Sequence, residues 1–365
     1  MQTRQQRVHA GIIPKAAGPA AADDGGMMDR TRFRFALAWL MPISVGAAAW
    51  VSPWAAWGTM LGIQVLLALA ERVPALRHSP PAAPQTAWHR FCLRLHVPLQ
   101  AALLAWGLWL VSAGDMSAAA AVALGLGVGG VTGSQGITFA HELGHARSRL
   151  DRFLAWALMA SVNYAHFMVE HYRGHHPRAA TFDDPASARR GESLWRFLPR
   201  TLAGSWASAW RLEAQQGRQL RRSWGRSPLL WATALQAAWL AIVAAWLGPL
   251  ALLFWGVQSA YAVFLLEAIN YIEHYGLQRR TENGRREAFG VQHAWNADSL
   301  LTNSMIANLQ RHSDHHMHAW KPYAELEPLA GPQLPTGYAG CLFLASVPPL
   351  WFRVMEARLQ GLAKA

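Results

Sequence analysis

Cysteine is nearly missing from this chain: Cys92 and Cys341 are the only two in 365 residues. No disulfide framework, zinc ribbon or iron–sulfur motif can be built from them, and the scarcity fits a reducing compartment. Charge is scarce as well, at 15%, where a soluble domain carries roughly a quarter. Acidic residues are outnumbered 21 to 33, for a formal net charge of +12. Nucleic-acid binding would gather those cations in one stripe. Here they are instead excluded from long segments, so no nucleic-acid partner is expected. Residues 1–32 lack a short apolar core with a cleavage site, so they do not read as a secretory signal. They read as a polar N-terminal tail.

What is abundant is apolar surface, at 52% of residues, with 19 Trp. Six runs approach the roughly 20-residue length that crosses hydrocarbon. They lie at about 33–52, 54–71, 96–112, 116–140, 228–247 and 250–269. Pro42 is placed to bend the first. Glycines 125, 127, 129, 130, 133 and 136 in the fourth read as close helix packing. No Lys-Ser or Lys-Thr follows them, so they are not a phosphate loop. The runs pair into three hairpins, which puts both termini on one side. The joins at Ser52-Pro53, Ser112–Asp115 and Gly248–Leu250 contain no Lys or Arg. The positive-inside rule therefore faces the termini and the intervening polar segments toward the cytoplasm.

The expected fold is all-α: a polytopic membrane protein with six transmembrane helices and a cytoplasmic helical cap. The cap comprises residues 141–227 and 270–355, which carry the clustered histidines, and 356–365 form a C-terminal tail. Within the Pro-rich, basic connection Glu71–Arg94 and just past it, His78, His89 and His96 each stand alone and are expected to be interfacial or solvated. Asp151–Glu170 reads as one moderately apolar helix. Ser193–Leu212, rich in Trp, fits either an interfacial helix or an ordinary packed one. Leu342–Phe352, with Pro348-Pro349, reads as a buried cap rather than a seventh span.

Histidines concentrate in four places. His141 and His145 are four apart and share a helix face below the fourth run. His171, His175 and His176 follow, then His274, then His312, His315 and His316. The string His141-Glu142-Leu143-Gly144-His145 matches the zinc-protease pattern, but a protease leaves the other clustered histidines unexplained. Neutral imidazoles gathered round a cation are stabilised, whereas charged ones buried together are not. Nine nitrogens exceed what one metal takes, so two metals are expected. The donor set suits iron, copper, nickel or zinc and does not choose among them. Glu142, Glu170, Asp183, Asp184, Glu273 and Asp314 lie near the clusters in sequence and are candidates to accept an imidazole N–H. His166, His293 and His318 are left as hydrogen-bond or outer residues. Trp54, Trp57, Met60 and Leu61 are candidates to line a substrate channel.

These motifs resemble those of the membrane-bound alkane 1-monooxygenases, within the wider fatty acid desaturase and hydroxylase group. His141–His145 is similar to the family's first histidine box. Glu170–His176, with Thr181–Arg189 after it, is similar to the second. Asn270–Leu277 resembles the box that separates alkane and xylene hydroxylases from desaturases. Leu309–His316, continued by Pro335–Gly340, resembles the last. The resemblance runs from about residue 35 to 355. It implies two non-haem iron ions held by His141, His145, His171, His175, His176, His274, His312, His315 and His316. It further implies a bacterial inner-membrane location, n-alkane and O2 as substrates, and electrons from rubredoxin and its NADH-dependent reductase. A terminal C–H bond offers no acid, leaving group or polar handle, so the metal must carry such a reaction. The alternatives are an aromatic-methyl (xylene-type) monooxygenase, a fatty-acid desaturase or hydroxylase, and a membrane metal carrier.

Overall fold

A computed structural model describes residues 30–282 and 284–362. The expected tail at 1–32 lies almost wholly outside them. The described chain is all-α apart from a two-residue hairpin, β1 (Thr281–Glu282) and β2 (Arg285–Arg286). Five helical stretches are long and apolar enough to cross a membrane: Arg32–Val51, Pro53–Ala70, Ala87–Ser112, Ala118–His145 and Pro228–His274.

The first stretch opens as a 3₁₀ helix, Arg32–Trp39, and continues as α1 (Leu40–Val51). Pro42 cannot donate to the Ala38 carbonyl four residues back. Gln135 Nε2 donates to that carbonyl instead, at 2.9 Å. Ser52 then caps α2 (Pro53–Ala70) by accepting from the Ala55 N–H at 3.0 Å. A serine cap followed by proline at the first helical position is a strong helix start.

α3 (Ala87–Ser112) begins well inside the segment expected to be an irregular connection. His89 and His96 are accordingly buried, not solvated. His89 Nδ1 accepts from the Thr86 N–H at 3.0 Å, closing the helix start, and His96 pairs with Gln100 at 3.0 Å. Only His78 is exposed as expected.

α4 (Ala118–Val131) passes into a π-helical stretch, Thr132–Ile137, and then α5 (Thr138–His145). α4 packs between α2 and α10 (Gly248–His274). Its glycines permit the approach. A Cβ at Gly127 would stand 2.8 Å from the Ala56 carbonyl carbon, and one at Gly129 2.7 Å from the Gln258 carbonyl oxygen.

The helix expected over Asp151–Glu170 is broken. α6 (Arg149–Ser161) ends before Asn163, which adopts φ 55, and α7 (Phe167–Glu170) restarts the chain. Asparagine tolerates that left-handed conformation, and its Nδ2 donates to Ser259 at 2.9 Å. α8 (Leu194–Gln219) buries Leu194, Phe197, Thr201, Ser205, Ser208 and Glu213 on one face, while Trp195 and Trp206 are exposed on the other. One face is packed, and Trp195 and Trp206 do not turn inward as an ordinary packed helix would require, which fits the interfacial reading. α9 (Pro228–Ile242) and α10 are separated at Gly248, whose φ of +85 reverses the chain.

The remaining elements are α11 (Leu300–Met305), α12 (His312–Met317), α13 (Tyr338–Ala345) and α14 (Pro348–Leu362). Trp351 is fully buried, and α14 continues through residues expected to form a tail.

Candidate metal centre

His145 and His274 are the last residues of α5 and α10, so two apolar stretches end in imidazoles. His141 lies one turn earlier in α5, and the other six clustered histidines come from the His171–His176 region and α12. All nine gather in two groups: His141, His145, His171, His176 and His315, and beside them His175, His274, His312 and His316. Within each group the facing ring nitrogens lie within 4.8 Å of one another. The second group is entirely buried, and the first is buried apart from partial exposure of His145 and His176.

The division cuts across the sequence clusters. His171–His175 form a π-helical turn. A π turn brings residues five apart together, so His171 pairs with His176 at 2.9 Å and His175 turns to the other group. In α12, His315 joins the first group at 2.9 Å from His141, and His312 joins the second at 3.2 Å from His274.

These contacts fit metal ions and little else. His176 Nε2 faces both His145 Nε2 at 3.1 Å and His171 Nε2 at 2.9 Å. One ring proton cannot serve both. His175 Nε2 and both nitrogens of His316 are buried without any hydrogen-bond partner, a costly state unless a cation accepts them. Burial, reinforced by the neighbouring imidazoles, holds His171, His176, His312, His315 and His316 well below the ordinary histidine range. They stay neutral, as metal ligation requires. Four and five nitrogen donors suit two transition-metal ions.

Of the six acids near the clusters, two touch them. Asp184 Oδ2 lies 2.9 Å from His175 Nδ1. Burial disfavours charge on both, yet their mutual attraction wins, so His175 is raised and Asp184 lowered. Glu273 Oε1 lies 3.2 Å from His312 Nδ1 and accepts from the Tyr338 hydroxyl at 2.6 Å. The other four are engaged elsewhere. Glu142 accepts from the Tyr323 N–H, Asp314 holds His318 and Lys321, and Asp183 meets Arg286 at the surface. Glu170 pairs with Arg178, and burial pushes its carboxyl up to about 7. His166 packs on Tyr164 and His293 pairs with Glu287, outside both groups.

Sequence reasoning missed Glu267. It is buried in α10 and accepts from Tyr164 at 2.8 Å, Thr201 at 2.8 Å and Asn270 at 3.2 Å. A lone carboxylate inside an apolar run was the available signal. Glu71 was missed as well. It accepts from the Gly340 N–H at 2.8 Å, the Ala339 N–H at 3.1 Å and the Thr302 hydroxyl at 2.8 Å. That ties the end of α2 to the start of α13.

An apolar cavity of about 100 Å³ lies within the helix bundle, and none of the clustered histidines lines it. Thr138, Ile269 and Leu309 line it, and in the sequence they lie three to five residues before His141, His274 and His312. Met41, Met60, Gln64 and Gly133 line the part between α1, α2 and the π stretch. Met60 is therefore at the cavity. Trp54, Trp57 and Leu61 are not: α2 buries Ala56, Met60 and Gln64, four apart on one face, and turns those three outward.

Residues 116–345 match the fatty acid desaturase family model. The chain is 40% identical over 326 residues to alkane 1-monooxygenase 2 of Pseudomonas aeruginosa, covering 86% of this chain and 85% of that protein. It is 35% identical over 349 residues to the alkane 1-monooxygenase of Ectopseudomonas oleovorans, covering 91% and 86%. Similarity to the hydroxylase component of the xylene/toluene monooxygenase of Pseudomonas putida is lower, 28% over 228 residues, covering 62% and 60%. With identity of that extent and the histidines gathered as a two-metal site, the chain belongs to the alkane 1-monooxygenase family of the fatty acid desaturase group.

Proposed function

We propose that this protein is an O2-dependent monooxygenase that hydroxylates the terminal methyl of medium- or long-chain n-alkanes to primary alcohols. The observation that carries the reading is the gathering of nine histidines into two buried groups of five and four at the ends of apolar helices. Two non-haem iron ions held there supply the chemistry for splitting O2 and attacking an unactivated C–H bond. His141, His145, His171, His176 and His315 hold one ion, and His175, His274, His312 and His316 hold the other. Asp184 fixes the orientation of His175 through its hydrogen bond, and Glu273 lies beside His312. Thr138, Ile269 and Leu309 confine the chain end next to the histidines and exclude bulk water. The substrate comes from lipid, since each CH2 gains about 0.8 kcal/mol in apolar surroundings.

The Pro228–His274 stretch makes two crossings, turning at Gly248, so the chain crosses six times. The positive-inside distribution then puts both termini and the histidine groups on the cytoplasmic side of a bacterial inner membrane. Electrons come from reduced rubredoxin, regenerated by an NADH-dependent reductase. A soluble acidic carrier suits a chain with an excess of twelve basic residues.

The test supplies octane or hexadecane, O2, rubredoxin, its reductase and NADH to the purified protein. Substrate-dependent formation of primary alcohol is expected. Double bonds without alcohol, or oxidation of xylene methyls in preference to either alkane, would overturn the assignment. No substrate-dependent NADH oxidation at all would leave a metal carrier.

A further inference from the structure

The turn that leads from α8 into the apolar helix α9 holds a cationic cavity that the proposed chemistry does not use. Its volume is about 290 Å³, and Arg218, Arg221, Arg222, Ser223 and Trp224 line it. The one carboxylate in its wall, Glu213, is buried and already engaged. It pairs with Arg222, accepts from Arg173 at 2.7 Å and accepts from the Ser227 hydroxyl at 2.7 Å. Arg218 and Arg221 are exposed, and their guanidinium groups have no partner among the described residues. Arg222 Nε is buried without a hydrogen-bond partner, which leaves a costly unmet donor beside the cavity.

The backbone is strained to put Arg221 there. The Arg222 N–H donates to the Gly217 carbonyl at 2.8 Å and the Arg221 N–H to the Arg218 carbonyl at 3.2 Å, which closes α8. Arg221 adopts φ 49 in that closing turn. The position is usually glycine's, because a Cβ is disfavoured in the left-handed region. Helix termination therefore does not account for an arginine at 221. The cavity also lies at the polar edge of a membrane span. Pro228, four residues after Trp224, opens the apolar stretch Pro228–His274. Leu220, Trp224 and Trp231 are exposed around it, and tryptophan at such an edge sits at the level of lipid headgroups.

We infer that this cavity holds the phosphate of an anionic membrane phospholipid, with Arg218 and Arg221 on the phosphate oxygens and Trp224 against the glycerol and acyl portion. The site is separate from the histidine groups and goes beyond the hydroxylase reading. Guanidinium groups match phosphate oxygens with paired, charge-assisted hydrogen bonds. Arg222 adds its unmet Nε. Basic pockets beside membrane helices favour anionic lipid, at about 1 kcal/mol for each cation near the surface. A free phosphate ion would satisfy the arginines but would gain nothing from an exposed tryptophan at the head of an apolar helix.

The test uses the full-length, iron-loaded protein, stripped of lipid in a neutral detergent. Thermal unfolding and native mass spectrometry follow the addition of phosphatidylglycerol, phosphatidylcholine or inorganic phosphate. Phosphatidylglycerol is expected to raise the unfolding midpoint and to stay bound as one tight copy, and the other two at equal concentration are not. Glu213 is left intact, because it also holds Arg173, which lies between His171 and His175. Arg218→Gln/Arg221→Gln is expected to raise the phosphatidylglycerol Kd by roughly tenfold or more. Arg72→Gln/Arg280→Gln removes the same charge from exposed positions just past α2 and α10 and is expected to leave Kd unchanged. Arg221→Gly separates the site from its scaffold: the lipid-free midpoint should rise as the strained backbone relaxes, while affinity for phosphatidylglycerol falls. Iron content equal to wild type in each variant shows that the fold has survived. Equal affinity for the two lipids, or a loss in the Arg72/Arg280 pair as large as in the cavity pair, overturns the site. An equal shift from inorganic phosphate assigns the cavity to a free anion and overturns the lipid.

Discussion

Asp184 and Asp183 are adjacent in sequence and differ completely in surroundings. Asp184 is fully buried against His175, and Asp183 is exposed beside Arg286. Removing a carboxylate that orients a metal-bound histidine typically costs about 10- to 100-fold in metal affinity. Asp184→Ala is therefore expected to weaken iron binding by about that factor, and Asp183→Ala to leave it unchanged, measured by competition with a chelator. Protons provide a second test. His171, His176, His312, His315 and His316 resist charging in the folded chain, unlike His175 beside Asp184, whereas in the unfolded chain they titrate near 6.5. Below about 6.5 the unfolded state binds more protons, so acid lowers stability. The thermal unfolding midpoint of metal-stripped protein should fall between about pH 7.5 and about pH 5.5; a flat profile would contradict buried neutral imidazoles. At this scale the sequence was informative about residue type. All nine clustered histidines converge, because few other arrangements can bury so many imidazoles. Their division into five and four was hidden. Four-residue spacing pairs His171 with His175 on an α-helix, and only the π turn pairs His171 with His176.

The helices place these residues by close backbone contact. Gly129 lies against the Gln258 backbone, which cannot rotate aside as a side chain could. Gly129→Ala is expected to cost about 1–3 kcal/mol of stability through overpacking. Gly58, with nothing within 4 Å of an added Cβ, should accept alanine at no cost. Thermal unfolding of the two variants in the same detergent makes the comparison, and equal midpoints would refute the packing argument. The glycine pattern made this contact legible, because small residues at short intervals in an apolar run have few other uses. The start of α3 was not legible. Arg90 and Arg94 broke the apolar run, but Arg94 is paired with the buried Asp151 at 2.7 Å, so the helix extends through them. That Trp54 and Trp57 fall outside the cavity was hidden for a related reason. α2 is apolar on every side, so composition could not tell its inward face from its outward one.

Across the whole molecule, charge placement carries more than hydropathy. Five apolar stretches are visible by length and composition, and the turn at Gly248 makes the last a hairpin. Both native cysteines are buried, so they give no background to thiol labelling. Gly114 and Gly225 have open space around them. In intact spheroplasts an impermeant maleimide should label Gly114→Cys, and label Gly225→Cys only after permeabilisation. The reverse pattern would invert the topology. The proposed chemistry depends on two irons, one in each histidine group. Anomalous X-ray scattering at the iron edge from crystals of the active protein tests this most directly. Two peaks are predicted, one bounded by His141, His145, His171, His176 and His315 and the other by His175, His274, His312 and His316. A single peak, or peaks away from these nitrogens, would contradict it.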